Sequence, residues 1–193
     1  IGVEFYNNNG KSINVSKGNQ QIDALIRYLN TRKHFDVVVC DSVLNSVDSV
    51  KAELSVVSCC NLFCNEGGKL FISGRPYDEQ VKKVNYDKSR SNKRYIEYLD
   101  EHKFTALYRK GNWYFQHYHL PEDVELLMEQ CGFAIDKMTW CKFGSSWQVE
   151  ATKIRNLTPQ EYIAAIDFEF NLPLPGDKSY NRHEDVKKVL GMV

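Results

Sequence analysis

The chain lacks any apolar run near the roughly 18 residues that a membrane-spanning helix needs, so none is expected. It also lacks a charge of one sign, with 25 Lys and Arg against 25 Asp and Glu in 193 residues. That balance excludes a binder that is basic over its whole surface and leaves room for a local patch. No secretory pattern opens the sequence and no Cys-x-x-Cys pair occurs. Disulfides are therefore not expected, and a reduced, cytoplasmic setting is. The six cysteines (Cys40, Cys59, Cys60, Cys64, Cys131 and Cys141) read as buried structural thiols rather than metal ligands. Repeats and low-complexity tracts are missing too. What remains is 42% hydrophobic and 26% charged residues, ordinary usage for a folded domain.

The first part of the chain alternates strand and helix patterns. Ile1 to Tyr6 reads as a strand already under way, which creates the expectation of residues upstream. Lys11 to Val15 reads as a short second strand. Residues 19–31 carry Ile22, Leu25, Ile26 and Leu29 at helical spacing. Phe35 to Asp41 is a nearly continuous β-branched run, the pattern of a strand buried on both faces of a parallel sheet. A helix is expected from about Asp48 to Cys64, stopped by Gly67-Gly68. Leu70 to Ser73 is the next buried strand. This rhythm predicts an α/β fold, a three-layer Rossmann-like and mostly parallel sheet.

Residues 77–103 break the rhythm. Lys82, Lys83, Lys88, Arg90, Lys93 and Arg94 are interleaved there with Tyr77, Tyr86, Tyr95 and Tyr98. Basic residues neutralise phosphates and aromatic rings stack on bases, so nucleic acid is a candidate partner. A substrate lid is the equal alternative, and Tyr95 with Leu99 also fits a helix with a core face. Phe104 to Tyr108 and Trp113 to His119 read as β structure around Lys110-Gly111-Asn112. Helices follow at Pro121 to Gln130, Thr158 to about Phe168, and His183 to Leu190. Phe133 to Lys142 and Trp147 to Ile154 read as a C-terminal antiparallel hairpin.

This ordered set resembles the later part of class I S-adenosylmethionine-dependent methyltransferases. Ile1-Gly2-Val3-Glu4 is similar to the family's second strand, whose terminal acid grips the ribose hydroxyls. Phe35 to Val47 resembles the fourth strand and the loop facing cofactor and substrate. Gly67 to Ser73 resembles the fifth strand with its Gly-Gly entry, and Cys131-Gly132-Phe133 the lead into the sixth. Phe115 to His119 and Glu169 to Pro175 add a faint likeness to bacterial and phage DNA methyltransferases. The glycine-rich loop that cradles the cofactor's methionine end is absent, and Gly10 and Gly18 are too isolated to replace it. Asp41-Ser42-Val43-Leu44 departs from the Asn/Asp-Pro-Pro-Tyr motif of amino-methylating enzymes, and no Pro-Cys pair points to cytosine C5 chemistry.

The resemblance implies S-adenosylmethionine as cofactor, with Glu4, Asn14, Asp41 and Ser42 as its contacts. It implies a substrate side made of Asn45 and Arg75, joined by Lys82, Lys83, Arg90 and Arg94. His117 and His119 alternate, so a strand points both to one face. They are the candidates for a catalytic base and its orienter. As metal ligands they lack an apparent third partner, and no metal is expected. The implied organisation is a methyltransferase-like domain over 1–155, with 77–103 as an insertion, and a helical extension over 156–193. The implied function is methyl transfer to a nucleic acid or small molecule by a fragment of a longer enzyme. A non-catalytic subunit binding nucleic acid or protein is the alternative. A nicotinamide-dependent Rossmann enzyme is disfavoured by the antiparallel ending.

Overall fold

The computed structural model describes residues 14–78, 95–109, 112–140, 146–174 and 177–192. Glu4, Lys82, Lys83, Arg90, Arg94 and Cys141, with the readings attached to them, lie outside the described residues. The first element is helix α1 (Val15–Arg32). Asn14 caps it, its side chain accepting from Lys17 N–H at 3.0 Å, so Val15 begins a helix where a strand is expected. Strand β1 (Phe35–Cys40) and a 3₁₀ turn at Leu44–Ser46 lead into helix α2 (Val50–Phe63), whose cap Ser49 accepts from Ala52 N–H.

Strand β2 (Cys64–Gly74) starts directly after α2. Gly67-Gly68 therefore does not stop the helix. It sits inside β2, where Gly67 takes φ +71° and the pairing with β1 jumps from Phe35 opposite Cys64 to Val37 opposite Lys69. The glycines let the strand absorb that irregularity. After β2 come strands β3 (Tyr95–Tyr98), β4 (Phe104–Arg109) and β5 (Asn112–His117), then helix α3 (Pro121–Gln130). Strands β6 (Phe133–Trp140) and β7 (Trp147–Lys153) form the expected hairpin. Helix α4 (Pro159–Glu169), a two-residue ladder of β8 (Pro173–Leu174) with β9 (Lys178–Ser179), and helix α5 (His183–Leu190) complete the order.

The main sheet has the order β1-β2-β7-β6. β1 and β2 are parallel, and β7 runs antiparallel to both β2 and β6. β6 thus shares the direction of β1 and β2, and the sheet is mostly parallel with one reversed strand. On one face Leu70, Ile72, Trp147, Val149 and Ala151 are buried against Val57 of α2 and Val124, Leu127 and Met128 of α3. The other face shows Gln148 on β7 and Thr139 and Lys137 on β6 to solvent. There Val37 and Val39 are 51% and 66% exposed. The expectation that β1 is buried on both faces is therefore not met among the described residues. Fully burying a side chain of this size contributes about 1.5–3 kcal/mol, so the inward face dominates the energetics.

A second core lies behind α2. Ile22, Leu25 and Leu29 of α1 meet Cys59 and Leu62 of α2, Tyr162 and Ile166 of α4, and Val186 and Val189 of α5. Helix α2 belongs to both cores. Its C-terminal turn is held by Lys153 of β7, whose buried Nζ donates to the carbonyls of Asn61 and Cys64 at 2.8 and 2.9 Å. The thiols of Cys40, Cys59, Cys60, Cys64 and Cys131 are free and buried, as their apolar surroundings predict.

The smaller sheet, β3-β4-β5, is antiparallel throughout. Tyr95–Tyr98 is therefore a strand and not part of a helix. The chain returns from β5 beside the end of β2: His119 N–H donates to the Arg75 carbonyl at 3.0 Å, and Tyr77 N–H donates to the His119 carbonyl at 2.8 Å.

Candidate functional site

The carboxyl ends of β1 and β2 carry the first cluster. The Ser73 hydroxyl at the end of β2 donates to Asp41 Oδ1 at 2.5 Å and accepts from Ser42 N–H at 2.9 Å. Ser42 adopts φ +59°, a left-handed backbone uncommon outside glycine, and this bridge holds it there. Ser73 thus latches the loop after β1 to the neighbouring strand. Asp41 and Ser73 border a recess of about 410 Å³, walled by Val39 and Phe71 and by Lys137, Gln148 and Glu150 from the outward face of the sheet. An apolar wall beside a fixed carboxylate can seat a flat ring and a hydroxyl or cation together.

Asn45 lies in the 3₁₀ turn and is buried; its Nδ2 donates to Ser46 Oγ, and its Oδ1 makes no hydrogen bond. Arg75 is half-buried at the end of β2 and engages His119 through its carbonyl. The Asn14 side chain is occupied as the α1 cap rather than extended toward an adenine. Asp41, Ser42, Asn45 and Arg75 therefore gather at one end of the sheet.

The second cluster is interior. His117, at the end of β5, and His119 both turn onto Glu53 of α2. Glu53 Oε1 lies 2.5 Å from His119 Nε2 and 3.1 Å from His117 Nδ1. His117 Nε2 lies 3.0 Å from the His102 carbonyl, and its ring stacks on Phe104 at a centroid distance of 3.8 Å. Burial alone would raise the Glu53 carboxyl, but its bonds to His117 and His119 prevail and hold it at about 2. Burial lowers His119 against the pull of Glu53. The pair is consistent as a carboxylate accepting from a neutral imidazole. With exposures of 4% and 0%, the two histidines expected as a catalytic base and its orienter are inside the protein. Their alternation brings them to one face as expected. Glu53 is the partner that the sequence did not reveal, because it lies over sixty residues away on a helix.

A further groove, of about 460 Å³, runs along β1 between α1, α2 and α4. Its lining is apolar except for Glu169. Burial pushes the Glu169 carboxyl up to about 8, so it is largely protonated at neutral pH. The burial of the thiols was expected from their apolar surroundings, that of this acid was not. No helix is long and apolar enough to cross a membrane among the described residues.

No family model matches the chain, and no curated protein matches it. Solved structures with a similar arrangement include an S-adenosylmethionine-dependent methyltransferase from Clostridium acetobutylicum ATCC 824, at 14% identity and TM-score 0.48, covering 72% of this chain and 70% of that one. The PH0226 protein from Pyrococcus horikoshii OT3 is similar at 15% identity and TM-score 0.45, covering 72% and 68%. Magnesium protoporphyrin IX methyltransferase from Synechocystis PCC 6803, with bound SAH, is similar at 18% identity and TM-score 0.38, covering 72% and 58%. At such identities and TM-scores no residue role passes from these proteins to this chain.

Proposed function

We propose that this chain takes part in S-adenosylmethionine-dependent methyl transfer to a nucleic acid or a small molecule. The observation that carries the reading is β7, which runs antiparallel between β2 and β6 while β1 and β2 are parallel. That arrangement matches the ending of the methyltransferase sheet that the sequence resembles. A dinucleotide-binding Rossmann sheet continues with parallel strands instead. When bound, the cofactor supplies an electrophilic methyl group on a sulfonium. Transfer needs chiefly in-line alignment of that methyl with the acceptor, and a general base is optional. The latched loop fits this demand. Ser73 fixes Asp41 and Ser42 at the strand ends, where they would meet the cofactor, with Asn45 and Arg75 nearby toward the substrate. Of the expected cofactor grips, Glu4 lies outside the described residues. His117 and His119, both buried, are assigned no step in the transfer.

Calorimetric titration with S-adenosylhomocysteine tests the reading. Saturable heat with one site per chain is expected. A folded chain giving no heat at millimolar ligand removes it.

A second reading, a nucleic-acid-binding subunit, draws on β5. There Trp113, Tyr114 and Phe115 are 55%, 49% and 54% exposed, an uncommon concentration of solvent-facing rings. It expects salt-dependent gel shifts with single-stranded nucleic acid without cofactor affinity. No shift at low salt counts against it.

A further inference from the structure

The interior cluster brings three side chains of metal-ligating type onto one point. A carbonyl only accepts, so His117 Nε2 must donate to the His102 carbonyl, at 3.0 Å. The ring's other nitrogen, Nδ1, is buried, makes no aligned hydrogen bond, and faces Glu53 Oε1 at 3.1 Å. His119 adds a third donor atom to the same point through Nε2. The three ligand atoms, one each from Glu53, His117 and His119, all lie within 4.8 Å of one another, and all three residues are buried.

We propose that Glu53, His117 and His119 form a binding site for a divalent zinc-class cation. Two imidazoles and a carboxylate are a common ligand set for such ions. A ring whose other nitrogen is fixed on a backbone carbonyl is the usual outer-shell arrangement of a metal-bound histidine. His117 has this arrangement through His102. Bonds of about 2.0–2.2 Å around a tetrahedral ion put ligand atoms roughly 3.3 Å apart. The observed 2.5 and 3.1 Å need to widen by less than about an ångström, within the reach of small side-chain rotations. Coordination through Nε2 would leave the His119 proton on Nδ1. The second Glu53 oxygen or a water completes the coordination.

The ion would be structural. It would join α2 to the end of the small sheet, where His119 also bonds the backbone of Arg75 and Tyr77 just after β2. Deep burial leaves no approach for substrate, so no reaction step is assigned to it.

The test uses the whole chain, stripped with a chelator and exchanged into metal-free buffer. Zinc content after re-addition of Zn²⁺ and gel filtration is measured by mass spectrometry, alongside the melting temperature. Near one zinc per chain and a rise of several degrees are expected. E53Q keeps the volume and a hydrogen-bonding group, and H119Q tests a second ligand independently. Each is checked for folding by circular dichroism and should lose at least tenfold in zinc affinity. Co²⁺ should give visible ligand-field bands in the wild type and not in E53Q. The exposed trio Asp167, His183 and Glu184 is the competing cluster. Zinc retained by E53Q and H119Q but lost in H183A overturns the proposal. So does a folded, stripped wild type that binds no zinc at tenfold excess.

Discussion

The Ser73 hydroxyl is a single oxygen on which the order of a loop depends. It accepts from Ser42 N–H and donates to Asp41. Replacing Ser73 with Ala leaves a left-handed Ser42 without its partner and should destabilise the fold by about 1–2 kcal/mol. Urea unfolding measures that loss, and weaker S-adenosylhomocysteine binding should accompany it. Glu169 makes a pH-dependent prediction. Its folded value is about 8, against 4.5 for the unsheltered acid. The folded state therefore favours the protonated form. Its contribution to stability should be fully present at or below pH 4.5 and be lost as pH rises toward 8, by up to about 1.4 kcal/mol per unit. The titratable groups facing it are the α2 thiols Cys59 and Cys60, which are themselves pushed up, Cys59 by burial and Cys60 by its hydrogen bond to Cys40. E169Q should flatten this slope and be the more stable form at pH 8. Equal pH profiles of the two proteins would contradict it. Neither role was legible in the sequence. A serine at a strand end and a glutamate at a helix end are ordinary until the fold supplies their neighbours.

Helix and strand ends were more legible, because their signals are local. Thr158 accepts from Glu161 N–H, as expected of a cap at the helix start, and the Glu161 side chain accepts from Thr158 N–H, which closes a capping box. Thr158→Ala should cost about 1 kcal/mol in thermal or urea unfolding. Helices α3 and α5 also begin and end as their patterns predict. The failures came where tertiary contact outweighed pattern. Gly67-Gly68 resembles a helix stop, yet a β-bulge required it. The valines of β1 resemble a doubly buried strand, yet burial depends on what other elements cover. Gly18 makes a further test. An alanine there favours an isolated helix by about 1 kcal/mol. Its Cβ, however, would lie 2.5 Å from Tyr180 Cε1. Gly18→Ala should therefore lower the melting temperature, and a rise would refute the close packing of α1 on the C-terminal segment.

At the scale of the whole molecule, α2 is shared between the sheet core and the helical core. The segment after residue 155 is thus no detachable appendage in energetic terms, since it covers Leu25, Leu29, Cys59 and Leu62. Deleting 156–193 should expose that layer and abolish cooperative unfolding, as read by calorimetry. The order of most strands and helices could be read from the sequence. The one-sided cover of the sheet, and the meeting of Glu53 with His117, could not, because neither leaves a local periodic trace. Lys153 carries a mechanical consequence. A buried ammonium that bonds the carbonyls of Asn61 in the last α2 turn and Cys64 at the start of β2 fastens helix and strand into one rigid lever. Relative motion should then concentrate outside that lever, in β3 to β5. In hydrogen exchange, amides of 56–63 and 147–153 should be released together, at the slowest rate, while those of 95–109 are released first.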